Sequence, residues 1–120
     1  MFKKILIVDD EETSRRILAI ALEGKEHRLI FAKDGEEAVA LAQAENPNLI
    51  VMDIDLPKMN GYEAAEKIRS LPGLENARIV AVTARTVKYS EEMARQAGCV
   101  DFVTKPYRLA AIRERLAKYL

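Results

Sequence analysis

Short runs that are apolar at every position alternate along this chain with segments whose apolar residues recur at helical spacing. That alternation limits the possible folds more than any other feature. The runs are Ile5–Val8, Leu29–Ala32, Leu49–Met52, Ile79–Val82 and, less purely, Val100–Val103. A strand that is apolar throughout is buried on both faces, as in a parallel sheet sandwiched between helices. The intervening stripes follow the i, i+3, i+4 rule of a helix with one buried side. They are Ser14, Ile17, Leu18, Ala21 and Leu22; Ala38, Leu41 and Ala42; Ala64, Ala65, Ile68 and Leu71; and Leu109, Ile112, Leu116 and Leu120. One more helix, over Val87–Ala97, has only a thin apolar face of Met93, Ala94 and Ala97. Asn60, Gly61 and Glu63 have the form of a helix start, with a capping side chain and an early acid.

Five β-α pairs result, and right-handed crossovers between them give an α/β, doubly wound sheet with helices on both faces. Five parallel strands fit the flavodoxin-like (βα)5 order 2-1-3-4-5. The charge of Asp101 within the fifth run suits an edge strand. A chain of 120 residues has room for one domain, spanning residues 1–120. The 49% hydrophobic content supports a real core. Equal counts of 19 basic and 19 acidic residues argue against direct nucleic-acid binding. The single cysteine, Cys99, permits no intrachain disulfide. The opening MFKKILIVDD is not a signal peptide, since acids follow its short apolar run at once. No apolar run is long enough to span a bilayer. A cytoplasmic location without membrane contact is the expectation.

In sheets of this kind ligands bind beyond the carboxyl ends of the strands. There the first strand ends in Asp9 and Asp10, the third in Asp53, the fourth in Thr83 and the fifth in Lys105 and Pro106. With the first and third strands adjacent, three carboxylates crowd together, and a divalent cation offsets their repulsion. An all-oxygen donor set suits magnesium, and no histidine or second cysteine is placed for zinc. Lys105 adds a positive charge to the rim and Thr83 a hydroxyl. Acids, a metal, a lysine and a hydroxyl together suit a phosphoryl group attacked in line by a carboxylate. Taken singly, each residue is as readily a turn former, a cap or a solvated side chain; the weight lies in the set.

From Lys3 to Leu120 the chain resembles the receiver domains of two-component response regulators, of the single-domain chemotaxis and cell-cycle kind. The matching pieces are ILIVDDE, LIVMDIDLPKMNGYE, IVAVTA and AGCVDFVTKP. The resemblance implies a signalling switch rather than a conventional enzyme. Asp53 would be the phosphoacceptor. Asp10 most directly, and Asp9 largely through water, would hold Mg2+ together with Asp53 and the backbone carbonyl of Asp55. Lys105 would pair with the phosphoryl group and Asp53, and the Lys105–Pro106 bond would be cis. Thr83 would shift toward the phosphoryl oxygens and Phe102 would turn inward into the vacated space. The face made by the fourth helix, fifth strand and fifth helix would then change for a downstream protein target. Lys88, Tyr89, Arg95, Tyr107, Arg108 and Arg115 are its candidate residues. The phosphoryl donor would be a sensor histidine kinase, a phosphotransfer protein or a small phosphodonor. Arg85, two residues after Thr83, is expected to reach toward Asp55 or the phosphoryl group and slow hydrolysis.

Three rival readings differ in chemistry. Asp53-Ile54-Asp55 is similar to the nucleophile motif of haloacid-dehalogenase phosphohydrolases, but that motif normally follows the first strand and here it follows the third. A receiver-fold interaction module that takes no phosphate usually lacks part of the acidic set or the lysine, and this chain has both. A flavodoxin would need a small, hydroxyl-rich first loop to cradle phosphate, whereas this loop reads DDEET.

Overall fold

Ten elements alternate along the chain: β1 (Lys3–Val8), α1 (Glu12–Leu22), β2 (His27–Ala32), α2 (Gly35–Glu45), β3 (Leu49–Asp53), α3 (Gly61–Arg69), β4 (Ile79–Thr83), α4 (Lys88–Gln96), β5 (Asp101–Thr104) and α5 (Leu109–Ala117). The computed structural model describes residues 3–24, 26–84 and 88–120, with residues 88 and 89 described by backbone only. All strand pairs are parallel, and the sheet order is β2-β1-β3-β4-β5. Both the fold class and the strand order agree with the alternation in the sequence.

Because side chains alternate across a strand, each apolar run supplies two cores at once. Ile5, Ile7, Leu49, Val51, Val80, Val82 and Val103 face α1 and α5, where Leu18, Ala21, Leu22, Ile112 and Leu116 meet them. Leu6, Val8, Ile50, Met52, Ile79 and Ala81 face the other layer, built on Ala38 and Ala42 of α2, Ala64, Ala65 and Ile68 of α3, and Ala94 of α4. Burying one such Leu, Ile or Val side chain is worth roughly 1.5–3 kcal/mol. The alanines of the second layer leave little between helix and sheet, so those helices approach closely.

Departures from the expected pattern sit at the margins. Val100 lies outside β5 and is 46% exposed, although its N–H still continues the ladder to the Ile79 carbonyl at 2.8 Å. Phe31, in a run read as buried on both faces, is 43% exposed. It sits on edge strand β2, where α1 covers the sheet incompletely and Arg15 and Arg16 flank the ring in a surface groove. Ile17 and Leu109, assigned to apolar stripes, are also exposed. The α4 segment begins at Lys88, and Val87, included in the sequence estimate, lies outside the described residues.

The start of α3 fixes the loop that leaves β3. Asn60 Oδ1 accepts from the Glu63 amide at 3.0 Å, and Glu63 Oε1 accepts from the Asn60 amide at 3.4 Å, a reciprocal cap. Gly61 then donates its N–H to the Ile54 carbonyl at 3.0 Å. A methyl group on Gly61 would overlap the Asp53 carbonyl oxygen and the Ile54 Cα, both backbone atoms that cannot swing aside. Glycine is therefore required here for close approach. Gly61→Ala is expected to destabilise the fold by about 1–3 kcal/mol, measured by urea unfolding. An unchanged midpoint would show that α3 can retreat from β3 without cost.

Candidate functional site

Parallel strands all deliver their carboxyl ends to one edge, so β1 and β3, as neighbours, bring Asp9 and Asp53 together. Their alternation matters as much as their adjacency. Asp9 continues the Ile5, Ile7 series and Asp53 the Leu49, Val51 series, so both carboxylates leave the sheet on the α1/α5 side. Lys105 continues the series of Val103 on the same side. The Asp9 amide bonds to the Ala32 carbonyl at 3.1 Å and the Lys105 amide to the Thr83 carbonyl at 2.7 Å, so the ladder holds both residues beyond the formal strand ends.

Asp9 is 1% exposed and Asp53 5%, while Asp10 stands exposed at the rim. One carboxylate oxygen from each of the three lies within 4.8 Å of the others. Lys105 Nζ is 3.0 Å from Asp9 Oδ2 and 3.8 Å from Asp53 Oδ2, so the lysine leans toward Asp9 while remaining in the field of both. Asp9 Oδ1 also accepts from the Glu11 amide at 2.9 Å, and Asp53 Oδ1 from the Asp55 amide at 3.1 Å. Burial, and then repulsion from Asp9, push the Asp53 carboxyl up to about 6, against the opposing pull of Lys105 and the Asp55 amide. The Lys105 ammonium is raised overall. Burial is the largest single influence and lowers it, but the hydrogen bond to Asp9 and the charges of Asp53 and Asp9 together outweigh burial. The arrangement suits a hard divalent cation: the donors are all oxygen, two are held by the strands, and one side is open to solvent.

Thr83 is fully buried, and its hydroxyl donates to Asp55 Oδ2 at 3.0 Å. The Ala84 amide points to the same oxygen at 3.4 Å. Sequence reasoning used Asp55 for its backbone carbonyl and as a target of Arg85 but missed its bond to Thr83; no periodicity encodes a contact between a loop residue and a strand end 28 residues apart. Phe102 is half-buried and pairs in register with Ala81. Ala81 and Thr83 lie two apart on β4, so Phe102 and Thr83 share the α3/α4 face. The Lys105–Pro106 peptide is cis, as expected.

On the face of α4, β5 and α5, Arg115 grips both carboxylate oxygens of Asp101, at 3.0 and 2.7 Å, and Tyr119 donates to it at 2.9 Å. The Arg115 hydrogen bond, more than any other influence, lowers the Asp101 carboxyl to about 2. Arg95 pairs with Glu91 at 3.0 Å, and both line a cavity of about 150 Å3 with Phe102 and Arg115. Tyr107 is half-buried and Arg108 exposed. Arg85 and the side chains of Lys88 and Tyr89 lie outside the described residues. His27 bonds through Nδ1 to the Leu22 carbonyl at 2.8 Å, away from the acidic cluster. Burial pushes the Cys99 thiol up to about 12, which fits a packed residue rather than a reactive one.

A family model described as the response regulator receiver domain matches residues 5–117. The polar-differentiation response regulator DivK of Brucella ovis is 33% identical over 120 residues, covering all of this chain and 98% of its own. Chemotaxis protein CheY4 of Vibrio cholerae superposes with a TM-score of 0.93 at 25% identity, with both chains fully covered. The receiver domain of sensor histidine kinase PA1611 from Pseudomonas aeruginosa PAO1, solved with a magnesium ion in its active-site cleft, gives 0.88 at 28% identity, covering 99% of this chain and 98% of that one. Among the described residues no helix is long and apolar enough to cross a membrane.

The Asp53 carboxyl makes the fold pH-sensitive. Its value of about 6 lies above the ordinary 3.8, so between the two the folded chain holds a proton that the unfolded chain releases. The associated stability is fully present below about pH 4 and is lost as pH rises through about 6. Without divalent cations at about pH 7.5, Asp53→Asn is expected to be more stable than the native chain by on the order of 1–3 kcal/mol. Urea titrations across pH should show the difference closing toward pH 4; a gap independent of pH would rule out the buried charge as its source.

Proposed function

The chain belongs to the response regulator receiver family, and from that premise we propose that it is a phosphorylatable signalling switch with Asp53 as the phosphoacceptor. Receivers are signalling switches of two-component systems rather than enzymes in the ordinary sense. The observation that carries the proposal is the placement of Asp53: buried at the end of β3, beside Asp9 and within reach of Lys105. A carboxylate so placed offers an oxygen to attack and has a cation nearby to receive the charge of a phosphoryl group.

Asp9, Asp10, Asp53 and the backbone carbonyl of Asp55 are the residues that would hold Mg2+. When bound, the ion would neutralise the crowded carboxylates and the incoming phosphoryl oxygens. An oxygen of Asp53 forms the new bond to phosphorus as the donor's phosphorus–nitrogen or phosphorus–oxygen bond breaks, and the departing group takes that electron pair. The donor is a sensor histidine kinase or phosphotransfer protein, or a small acyl phosphate. Asp53 reacts as the carboxylate, so its raised pKa makes the pull of Lys105 part of keeping it ionised. Lys105 exchanges part of its bond with Asp9 for the new phosphoryl oxygens, which carry about 1.5–2 negative charges.

The added oxygens also compete for the Thr83 hydroxyl. When Thr83 turns to them, space opens on the face it shares with Phe102, whose ring moves inward. The cavity by Phe102, Arg95 and Arg115 changes shape, and a downstream protein reads that population shift on the α4-β5-α5 face. A cytoplasmic location belongs to the same reading.

Incubation with acetyl phosphate and magnesium should add one phosphoryl group to the intact mass. The gain should vanish in Asp53→Asn and without magnesium, and it should be slowed at least tenfold in Lys105→Ala, a loss of about 1.4 kcal/mol or more of transition-state stabilisation. A folded native chain that gains no mass would instead be a phosphate-independent interaction module.

A further inference from the structure

Asp55 carries a side chain to which the proposed switch gives no role. Its backbone N–H holds Asp53 Oδ1 at 3.1 Å while its carboxylate takes the Thr83 hydroxyl at 3.0 Å and faces the Ala84 amide at 3.4 Å. One residue therefore touches the acceptor side chain at the end of β3 and the hydroxyl at the end of β4. Its own side chain is exposed, so packing does not demand a carboxylate there. Thr83 is buried, so its hydroxyl has few places to turn, and a bond to an ionised acceptor is stronger than one to a neutral acceptor.

Resting on the phosphoacceptor reading, we infer that the Asp55 carboxylate is a latch: it competes with a phosphoryl group on Asp53 for the hydroxyl of Thr83 and so holds the switch in its resting arrangement. Thr83 cannot give its single proton to both acceptors. Each transition to the active arrangement must break the Asp55 bond first, and the resting population grows with the strength of that bond. Asp55 is a positioning residue in this account. It acts through Thr83, and its effect must disappear when Thr83 has no hydroxyl to hold.

That requirement sets the test. Beryllofluoride with magnesium serves as the phosphoryl analogue, and its affinity is measured for the native chain, Asp55→Ala, Thr83→Val and the double variant. With the latch, Asp55→Ala binds about tenfold more tightly than the native chain. The same substitution then gives at most about a twofold gain when Thr83 is already valine. An equal gain in both backgrounds would reduce Asp55 to a repelling charge and overturn the latch, as would no gain in either. A second readout uses no ligand: the Phe102 ring resonances of Asp55→Ala should lie part-way toward their beryllofluoride-bound positions, and unmoved resonances would also defeat the latch. A native chain that binds no beryllofluoride would defeat the phosphoacceptor reading itself and the latch with it, whereas a native chain that binds but does not respond to Asp55→Ala defeats the latch alone.

Discussion

Two buried carboxylates side by side are costly to a fold, and Asp9 and Asp53 are forced into that position by the register of β1 against β3. Val8 lies opposite Met52 in that register, so the next residue on each strand is an aspartate. Neither can withdraw, because β3 and the Ile5–Val8 part of β1 are buried and the two side chains share a face. Lys105 is the cation that compensates them, and it arrives from the end of β5, three strands away from β1. The order β2-β1-β3-β4-β5 is thus more than an architectural label. It brings the termini of β1 and β3 into contact and leaves room for a long side chain from the end of β5 to reach back past β4 to both. The compensation is incomplete, as the elevated Asp53 carboxyl shows. Residual unfavourable charge of this kind is a common mark of a functional site, since it is relieved only by something that binds.

Much of this was legible in the sequence because the information was local. Runs such as Leu49–Met52 can be read as buried strands from four consecutive residues, and the polar residue that follows each run is placed by the topology rather than by its own preference. Asn60 and Glu63 announce the start of α3 by spacing alone, and the reciprocal cap is there. What failed to show was of another kind. The Asp55–Thr83 bond joins the loop after β3 to the end of β4, and that pairing does not show until the strands are laid side by side. Gly61 reads as helix punctuation, yet its function is to let backbone approach backbone. Phe31 and Val100 read as core because an apolar run does not show how much of it the helices cover: β3 is covered on both faces, and the ends of the sheet only in part.

The strand that carries Phe102 is held at both ends, and this restricts what any switch through it can be. At its start, Asp101 is gripped by both Arg115 contacts and by the Tyr119 hydroxyl, with its carboxyl lowered to about 2, so the grip persists throughout the neutral range. Just past its end, the Lys105 amide is bonded to the Thr83 carbonyl at 2.7 Å. A displacement of β5 as a body would break these bonds together, each worth about 0.5–3 kcal/mol. A change in the Phe102 side chain breaks none of them. Side chains in packed interiors have discrete rotamers rather than a continuum, so under the proposed switch β5 would respond through the rotamer of Phe102. Under the proposed switch, Thr83 and Phe102 would move while the Arg115 and Tyr119 contacts keep α5 on β5, and a partner docking on this face would meet a firm frame around one movable ring.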